Sequence, residues 1–556
     1  MGTEEAALEM LGGHAVVECI RREGIRHIFH VPGESYLAVL DGLYEAPEIT
    51  LITNRQEGGA CFMAEAYAKA TRSVGVCFVT RGPGATNASI GIHCAQQDST
   101  PLVLFVGQIP RRMKGREAFQ EVDYTQFFGS MAKWVVEIDD PAKIPDLVPR
   151  AFHMARSGRP GPVVVSLPED VLSAKGSFLF STPARMTPPH PAPEAVQELV
   201  QRVKAAKRPV LLAGGGTQYA HAREALVAFA ERFQVPVCTA WRRLDAFPNF
   251  HPNYIGALGR GKSPVQDAVQ ESDLLLVVGH RLSDPSTKGY SLLPKGLPII
   301  QVDSGAEVIG RNYSPVLGLV ADARHTLEAA LEHPAAEADP TRGAWMERYH
   351  QAFQAFSEPI ERPSGMVSME KAMRDMRDVL PADAVITVDA GNASGWVQRY
   401  LLRDVEESFL GPTVGSMGYG LPAAIAAKLA HPERVVVGTC GDGSMMMTLQ
   451  ELATAVQHGV NVVQIVFNNG AYGTIRMNQE QAFPGRVIGS KMVNPDFAAL
   501  AESFGARGLK VETSEEFRPM LEEALAARRP AVMDVRTDVE IISVATTLEE
   551  IRGGKG

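Results

Sequence analysis

Short apolar runs alternate with stretches of helical spacing along nearly the whole chain, and most runs end in glycine, aspartate or asparagine. Val74–Thr80 leads into Gly82-Pro83-Gly84-Ala85-Thr86-Asn87, then a helix-like stretch, then the run Pro101–Gly107. Arg434–Cys440 leads into Gly441-Asp442-Gly443-Ser444, then the helical spacing of Thr448–Val456, then Val462–Asn469. Both segments read strand, turn, helix, strand, as a duplicated unit with one altered copy would. Between them, Val210–Thr217, Ser272–Gly279 and Pro298–Asp303 each run from a strand into Gly or Asp. The alternation predicts an α/β fold of mainly parallel sheets flanked by helices. In such sheets the strand ends open on one edge, where ligands bind.

Two breaks divide the pattern. The proline-rich Ser181–Pro193 reads as a stiff, extended linker. A looser break runs from His333–Pro340 to Glu358–Gly365, with a helical segment between. With 556 residues the chain is too long for one core, and three domains near 12–180, 196–335 and 365–545 follow.

Composition narrows the partners. The formal net charge is −10 and no Lys/Arg stripe forms, which argues against nucleic acid and anionic membranes. An anionic ligand would therefore be neutralised locally, by a metal and helix N-termini. Met1–Leu8 is acidic and lacks a charged-then-apolar signal layout, and no apolar run is long enough to span a bilayer. The six cysteines are scattered, with no C-x-x-C, and read as reduced, mostly buried thiols of a cytoplasmic protein.

The candidate chemistry sits at the strand ends. Asp442 and Asn469 close two apolar runs, and two oxygen-bearing side chains on one sheet edge suit Mg²⁺, which takes its other ligands from phosphate. Gly441 and Gly443 would let the backbone approach that phosphate, and Ser444 would open the following helix. A lone Gly-Asp-Gly is otherwise an ordinary turn. Glu57 lies where the strand at Leu51 turns through Gly58 and Gly59 into a helix from Ala60; a glutamate there is also favoured by the helix dipole alone. Locally, Gln120 reads as a loop residue and Met417 and Met445-Met446-Met447 as core. Gly214-Gly215-Gly216 reads either as a nucleotide turn or as tight strand–helix packing, and it does not match the spaced dinucleotide fingerprint.

Gly441-Asp442-Gly443 followed by Asn468-Asn469 resembles the signature of the thiamine diphosphate enzymes. So do Arg55–Ala60 before Met63-Ala64-Glu65-Ala66-Tyr67-Ala68, and Arg81–Asn87 after them. Ala118-Phe119-Gln120-Glu121 and Gly415–Gly420 are similar to segments of the acetolactate (acetohydroxyacid) synthase branch, and that resemblance covers nearly the whole chain. It implies an N-terminal pyrimidine-binding, a central Rossmann-like and a C-terminal diphosphate-binding domain, with thiamine diphosphate and Mg²⁺ as cofactors. It puts Asp442, Asn469 and the Ala471 carbonyl on the metal. Glu57 becomes the acid partner of the cofactor's N1′, Gln120 assists the reacting carbonyl, and Met417 props the cofactor into its bent form. Further cofactor contacts fall on Pro32, Asn87, Gly391, Asn392, Ala393, Gly441, Gly443, Ser444, Tyr472 and Gly473. The implied reaction is decarboxylation of a 2-keto acid such as pyruvate, followed by carboligation. The implied assembly is a homodimer or homotetramer in which the first domain of one chain faces the third domain of another.

The match departs at several points. Asn392-Ala393-Ser394 stands where acetohydroxyacid synthases carry Gln-His, and among the candidate substrate-pocket residues Glu34, Arg476 and Asn478, Asn478 stands where biosynthetic synthases place a Trp that selects the second keto acid. Glu34 replaces a small residue at the pocket mouth; it either steers substrate choice or caps the next helix. His280–Asp284 alters the flavin segment, while Asp303 and Asp322 keep the adenine-side pattern, which leaves FAD as an open alternative. Rival readings are a lyase or hydrolase acting on another C–C bond beside a carbonyl (a 1,2-diketone, a 2-hydroxyacyl thioester or another 2-keto acid), a nucleotide-binding oxidoreductase, and a non-catalytic cofactor-binding subunit. A regulatory subunit is not legible.

Overall fold

Three six-stranded parallel sheets organise the chain in a computed structural model that describes residues 7–337 and 339–553. The signal-layout reading of Met1–Leu8 therefore falls largely on residues outside those described, as does Ala338 in the second break. The first sheet runs in the order Thr50–Thr53, His27–His30, Gly75–Val79, Leu102–Gln108, Pro162–Pro168, Trp134–Glu137. The third runs Phe409–Leu410, Val385–Val388, Val436–Gly441, Val463–Asn468, Ala531–Arg536, Arg507–Val511. Counted along each segment, both orders are 2-1-3-4-6-5, so the similarity of pattern between these two parts is a similarity of topology. The middle sheet, Tyr254–Ala257 to Leu317–Val320, has the order 3-2-1-4-5-6 of a Rossmann fold.

The local reasons are those of parallel sheets. Leu102–Gln108 and Pro162–Pro168 are buried along their whole length, and helices cover the sheet faces, so the strands are continuous apolar runs. Residues 181–192 form no regular element before the helix Pro193–Ala205, and the helix Pro340–Phe356 fills the second break. One pairing escaped the pattern: Leu8–Leu11 pairs antiparallel with Lys175–Phe178.

Two helix predictions are corrected. The helix expected from Ala60 starts at Glu57, because the Gln56 side chain caps it by accepting from the Gly59 N–H. The helix expected to open at Ser444 spans Asp442–Thr448, and a second, Glu451–Gln457, follows after a break at Leu449 and Gln450. The methionine run is not all core. Met445 is buried against the sheet, whereas Met446 and Met447 fall on the opposite side of the helix and are exposed.

The three units meet at a buried ionic cluster. Lys69 Nζ lies 2.8 Å from Glu65 and 3.0 Å from Asp98, all three buried, and Asp98 is shared with Arg243 of the middle unit. The third unit adds the Tyr419 hydroxyl, which donates to Glu65, and the Thr413 N–H, which donates to Asp98. Glu65, Cys94 and Asp98 lie close enough to hold a metal, but the lysine ammonium sits against both carboxylates. Burial alone would lower the Lys69 pKa; Asp98 and Glu65 outweigh it and hold it above the ordinary value. Lys69→Met should lower stability by about 3–5 kcal/mol, since removing one partner strands buried charge. Chemical denaturation of the folded chain checks this.

Candidate active site

The strands Val385–Val388 and Val436–Gly441 are neighbours whose connections leave in opposite directions, which makes a crevice at their carboxyl ends. A cavity of ≈ 260 Å³ occupies it. Three helices begin at its wall, Ala393–Tyr400, Asp442–Thr448 and Gly473–Ala482, and their first residues line it. No lysine, arginine or histidine is among the described lining residues. An anion in this cavity would be met by helix N-terminal N–H groups and would need a cation from outside the protein.

Asp442 is the strongest mark of such a cation. It is 2% exposed, and none of its hydrogen-bond donors is basic: the Gly443 N–H to Oδ1 at 2.8 Å, the Gly470 N–H to Oδ2 at 2.8 Å, and the Asn494 amide to Oδ2 at 2.7 Å. Burial pushes its carboxyl above the ordinary aspartate range, against the pull of those donors. Asn469 lines the same cavity, its Oδ1 accepting from the Ala471 N–H, and Ala471 lines it too. The donor set therefore fits a hard cation. Around it, Tyr472 packs on Gly443, where a Cβ would come within 2.6 Å of the ring, while a Cβ on Gly441 would meet nothing. Gly441 thus leaves open space beside the aspartate. Met417 and Ser444 also line the cavity; Gly391, at φ 93, makes the turn that brings Asn392 and Ala393 to it. Asn392 ties Thr474 to the Ile542 carbonyl.

The other predicted group gathers at the equivalent switch point of the first sheet. The half-buried Glu57 accepts from the Asn87 amide at 2.9 Å. Gln120 abuts Gly82 and holds a left-handed backbone, φ 67, of the kind that concentrates at functional sites. Pro32 and Glu34 follow the strand His27–His30. Within one chain the two groups are not brought together, since every residue lining the 260 Å³ cavity lies at or beyond Val367.

Three further candidate residues lie outside this cavity. Arg476 and Asn478 do not line the cavity: the arginine pairs with buried Glu480 at 3.0 Å, and Asn478 is exposed. Glu34 makes no helix cap; its carboxylate meets Arg81. Sequence reasoning also missed three residues that set the geometry. Glu451 takes the Asn54 amide at 3.0 Å and the N–H groups of Arg55 at 3.1 Å and Gln56 at 2.9 Å, fixing the segment before Glu57 from the third unit. Asp389 accepts from the N–H groups of Gly418 and Gly420 and so holds the Met417 loop. Asn494 links Asp442 to Asn468. Only Asp389 had a signal, an acid closing an apolar run.

The middle sheet has its own switch point, but the cleft there holds ≈ 70 Å³. Sites for ligands of drug size span about 300–1,000 Å³. Arg159, Arg281 and Arg243 fill the cleft and donate to the carbonyls of Gln96, Gln97 and Asp98, capping the helix Pro83–Asp98 at its negative end. Asp303 accepts from the Gly305 N–H, and Asp322 caps the helix Ala323–Leu331. The glycine triplet serves close packing: a Cβ on Gly216 would lie 2.6 Å from Gly279 Cα. This cleft gives FAD no support.

Residues 10–127 match the description "Thiamine pyrophosphate enzyme, N-terminal TPP binding domain", residues 196–330 its central domain, and residues 389–535 its C-terminal TPP binding domain. A probable acetolactate synthase large subunit of Methanocaldococcus jannaschii is 33% identical over 95% of this chain and 92% of its own length. The acetolactate synthase large subunit of Parasynechococcus marenigrum is 35% identical over 94% and 87%, and that of Haemophilus influenzae 32% identical over 95% of each.

Proposed function

Because the chain belongs to the thiamine pyrophosphate enzymes, in the family of the acetolactate synthase large subunits, we propose that it decarboxylates pyruvate and joins the two-carbon unit to a second carbonyl compound. The observation that carries the reading is buried Asp442, without a basic partner, in a cavity walled by three helix N-termini. Asp442, Asn469 and the Ala471 carbonyl would hold Mg²⁺, and the helix starts at Ala393, Asp442 and Gly473 would hold the diphosphate. When bound, thiamine diphosphate supplies the electron sink that lets a 2-keto acid lose CO₂. With the cofactor bound, Glu57 would hold and return a proton at its carboxyl, oriented by the Asn87 amide, Gln120 would hydrogen-bond the reacting carbonyl, and Met417, which lines the cavity, would support the cofactor. Pro32, just after the strand His27–His30, would be a further cofactor contact.

The Glu57 group and the Asp442 cavity are separate in one chain, so the reading pairs the first domain of one copy with the third of another, in a dimer or tetramer. Apolar side chains exposed beside each group, Ile90 and Phe119 on one side and Met446, Met447 and Ile475 on the other, support such a contact. Domain limits of 12–180, 196–335 and 365–545 and a cytoplasmic location belong to the same reading. The location is supported by six buried free cysteines, and no helix among the described residues is long and apolar enough to cross a membrane. The relatives are named large subunits, so a smaller companion subunit is a partner to seek.

Incubation with thiamine diphosphate, Mg²⁺ and ¹³C-pyruvate, followed by NMR, tests the proposal. Labelled CO₂ together with acetolactate is expected. Bound cofactor with untouched pyruvate would instead favour cleavage of another C–C bond, the reading that Glu34 and Asn478 support.

A further inference from the structure

We propose that the Glu34–Arg81 pair selects the carbonyl compound that receives the new bond, favouring an uncharged aldehyde over a second 2-keto acid. This rests on the reading above for the donor and names the class of acceptor.

The pair lies at the switch point of the first sheet, between the ends of His27–His30 and Gly75–Val79. Its position is fixed from several sides. The hydroxyls of Ser35 and Thr80 are 2.8 Å apart, and Gly33 backs so closely onto Thr80 that a Cβ there would lie 2.3 Å from the threonine Cβ. The Gly82 N–H donates to the Tyr124 hydroxyl at 2.9 Å. On the same loop, Gly82 packs against Gln120, and Gly84 lies beside Glu57, where a Cβ would be 3.5 Å from the carboxylate. Glu34 and Arg81 therefore belong to the half of the site that holds both proposed reacting groups.

The charges are unequal and unequally exposed. Arg81 is 8% exposed; its Nη2 donates to Glu34 Oε1 at 2.5 Å, and its Nη1 lies 3.8 Å from Glu169 Oε2. Its Nε and Nη1 are buried and have no hydrogen-bond partner. The Glu34 side chain is 67% exposed and Glu169 45%. One buried guanidinium thus stands behind two outward carboxylates, and the face met by an incoming molecule is negative. A second 2-keto acid would bring its own carboxylate against Glu34, and opposed like charges at short range are unfavourable. An aldehyde brings no charge, and the hydroxyl of its product can donate to Glu34. Specificity then arises from a cost imposed on the wrong acceptor.

The chemistry balances without a redox partner. The C1–C2 bond of pyruvate breaks and CO₂ leaves; the electron pair stays on C2 and forms the bond to the aldehyde carbon. The aldehyde oxygen takes one proton from solvent, giving an acyloin.

The test is competition in the holoenzyme: ¹³C-pyruvate with an equal concentration of propanal, whose acyloin differs from acetolactate and from its decay product. Wild type should give mainly the propanal acyloin. Glu34→Gln, which keeps the volume and removes the charge, should move the product ratio toward acetolactate by at least about tenfold, roughly 1.4 kcal/mol in relative barrier. Glu34→Gly should shift it the same way, and cofactor affinity checks that both variants remain folded. An unchanged ratio in both variants would make the pair a structural anchor and overturn the proposal, leaving the donor reading intact. Pyruvate left unconsumed with either acceptor would overturn the donor reading and this inference with it.

Discussion

Glu57→Gln should retain thiamine diphosphate and lose about 10²–10⁴-fold in turnover, the range for removing a positioned acid–base group. Glutamine keeps the side-chain length, and its amide oxygen can still accept from Asn87, now at 2.9 Å from Glu57. What it cannot do is exchange a proton with the pyrimidine. The backbone should not respond, because the segment before position 57 is held independently. Glu451 binds the Asn54 amide and the Arg55 and Gln56 N–H groups, and Gln56 caps the helix through Gly59. Exchange of the cofactor's thiazolium C2 proton in deuterated buffer reads the step directly. Wild-type exchange in the variant would remove Glu57 from the mechanism, whatever happened to overall turnover.

The parts of this site legible in the chain were those written locally. Gly441-Asp442-Gly443 and Asn468-Asn469 each interrupt a buried strand with polar residues, a costly pattern that is informative without tertiary knowledge. The same holds for the glycines around Glu57 and for the apolar runs of all three sheets. What could not be read depends on residues far apart in sequence. Glu451 acts on residues some 395 positions earlier, and Asn494 reaches Asp442 across 52. Helix ends were misplaced because the Gln56 cap and the break after Thr448 are set by packing and not by periodicity. The pairing of Arg476 was not legible either, since nothing in its helix announces that buried Glu480 also binds Arg552 and the Gly485 N–H and so holds that face together. Glu34 was read as a pocket residue or a cap; its partner Arg81 is 47 residues away. The flavin alternative turned on a cleft whose size only the three arginines on the end of the helix Pro83–Asp98 decide.

Asp442→Ala should abolish Mg²⁺-dependent retention of thiamine diphosphate. Loss of an outer partner of a metal site typically costs about 10–100-fold in affinity, and loss of a proposed direct ligand should exceed that. The cavity offers no substitute: no described lining residue is basic, so without the metal the diphosphate charge faces only helix N-termini and Asp538. The substitution also strands the N–H groups of Gly443 and Gly470, which now donate to Oδ1 and Oδ2 at 2.8 Å each, while the Asn494 amide keeps its bond to Asn468. Unpartnered buried donors cost about 1–3 kcal/mol each, so some loss of stability is expected as well. Asp442→Asn separates the two effects, because its amide oxygen can still accept while its charge is gone. Titration calorimetry with thiamine diphosphate, with and without Mg²⁺, should show both variants binding as weakly as wild type in excess chelator, with Asn the more stable to urea. Wild-type affinity in either variant would move the metal away from Asp442. It would also leave unexplained why a carboxylate 2% exposed, at the end of a buried strand, has no basic partner among the described residues.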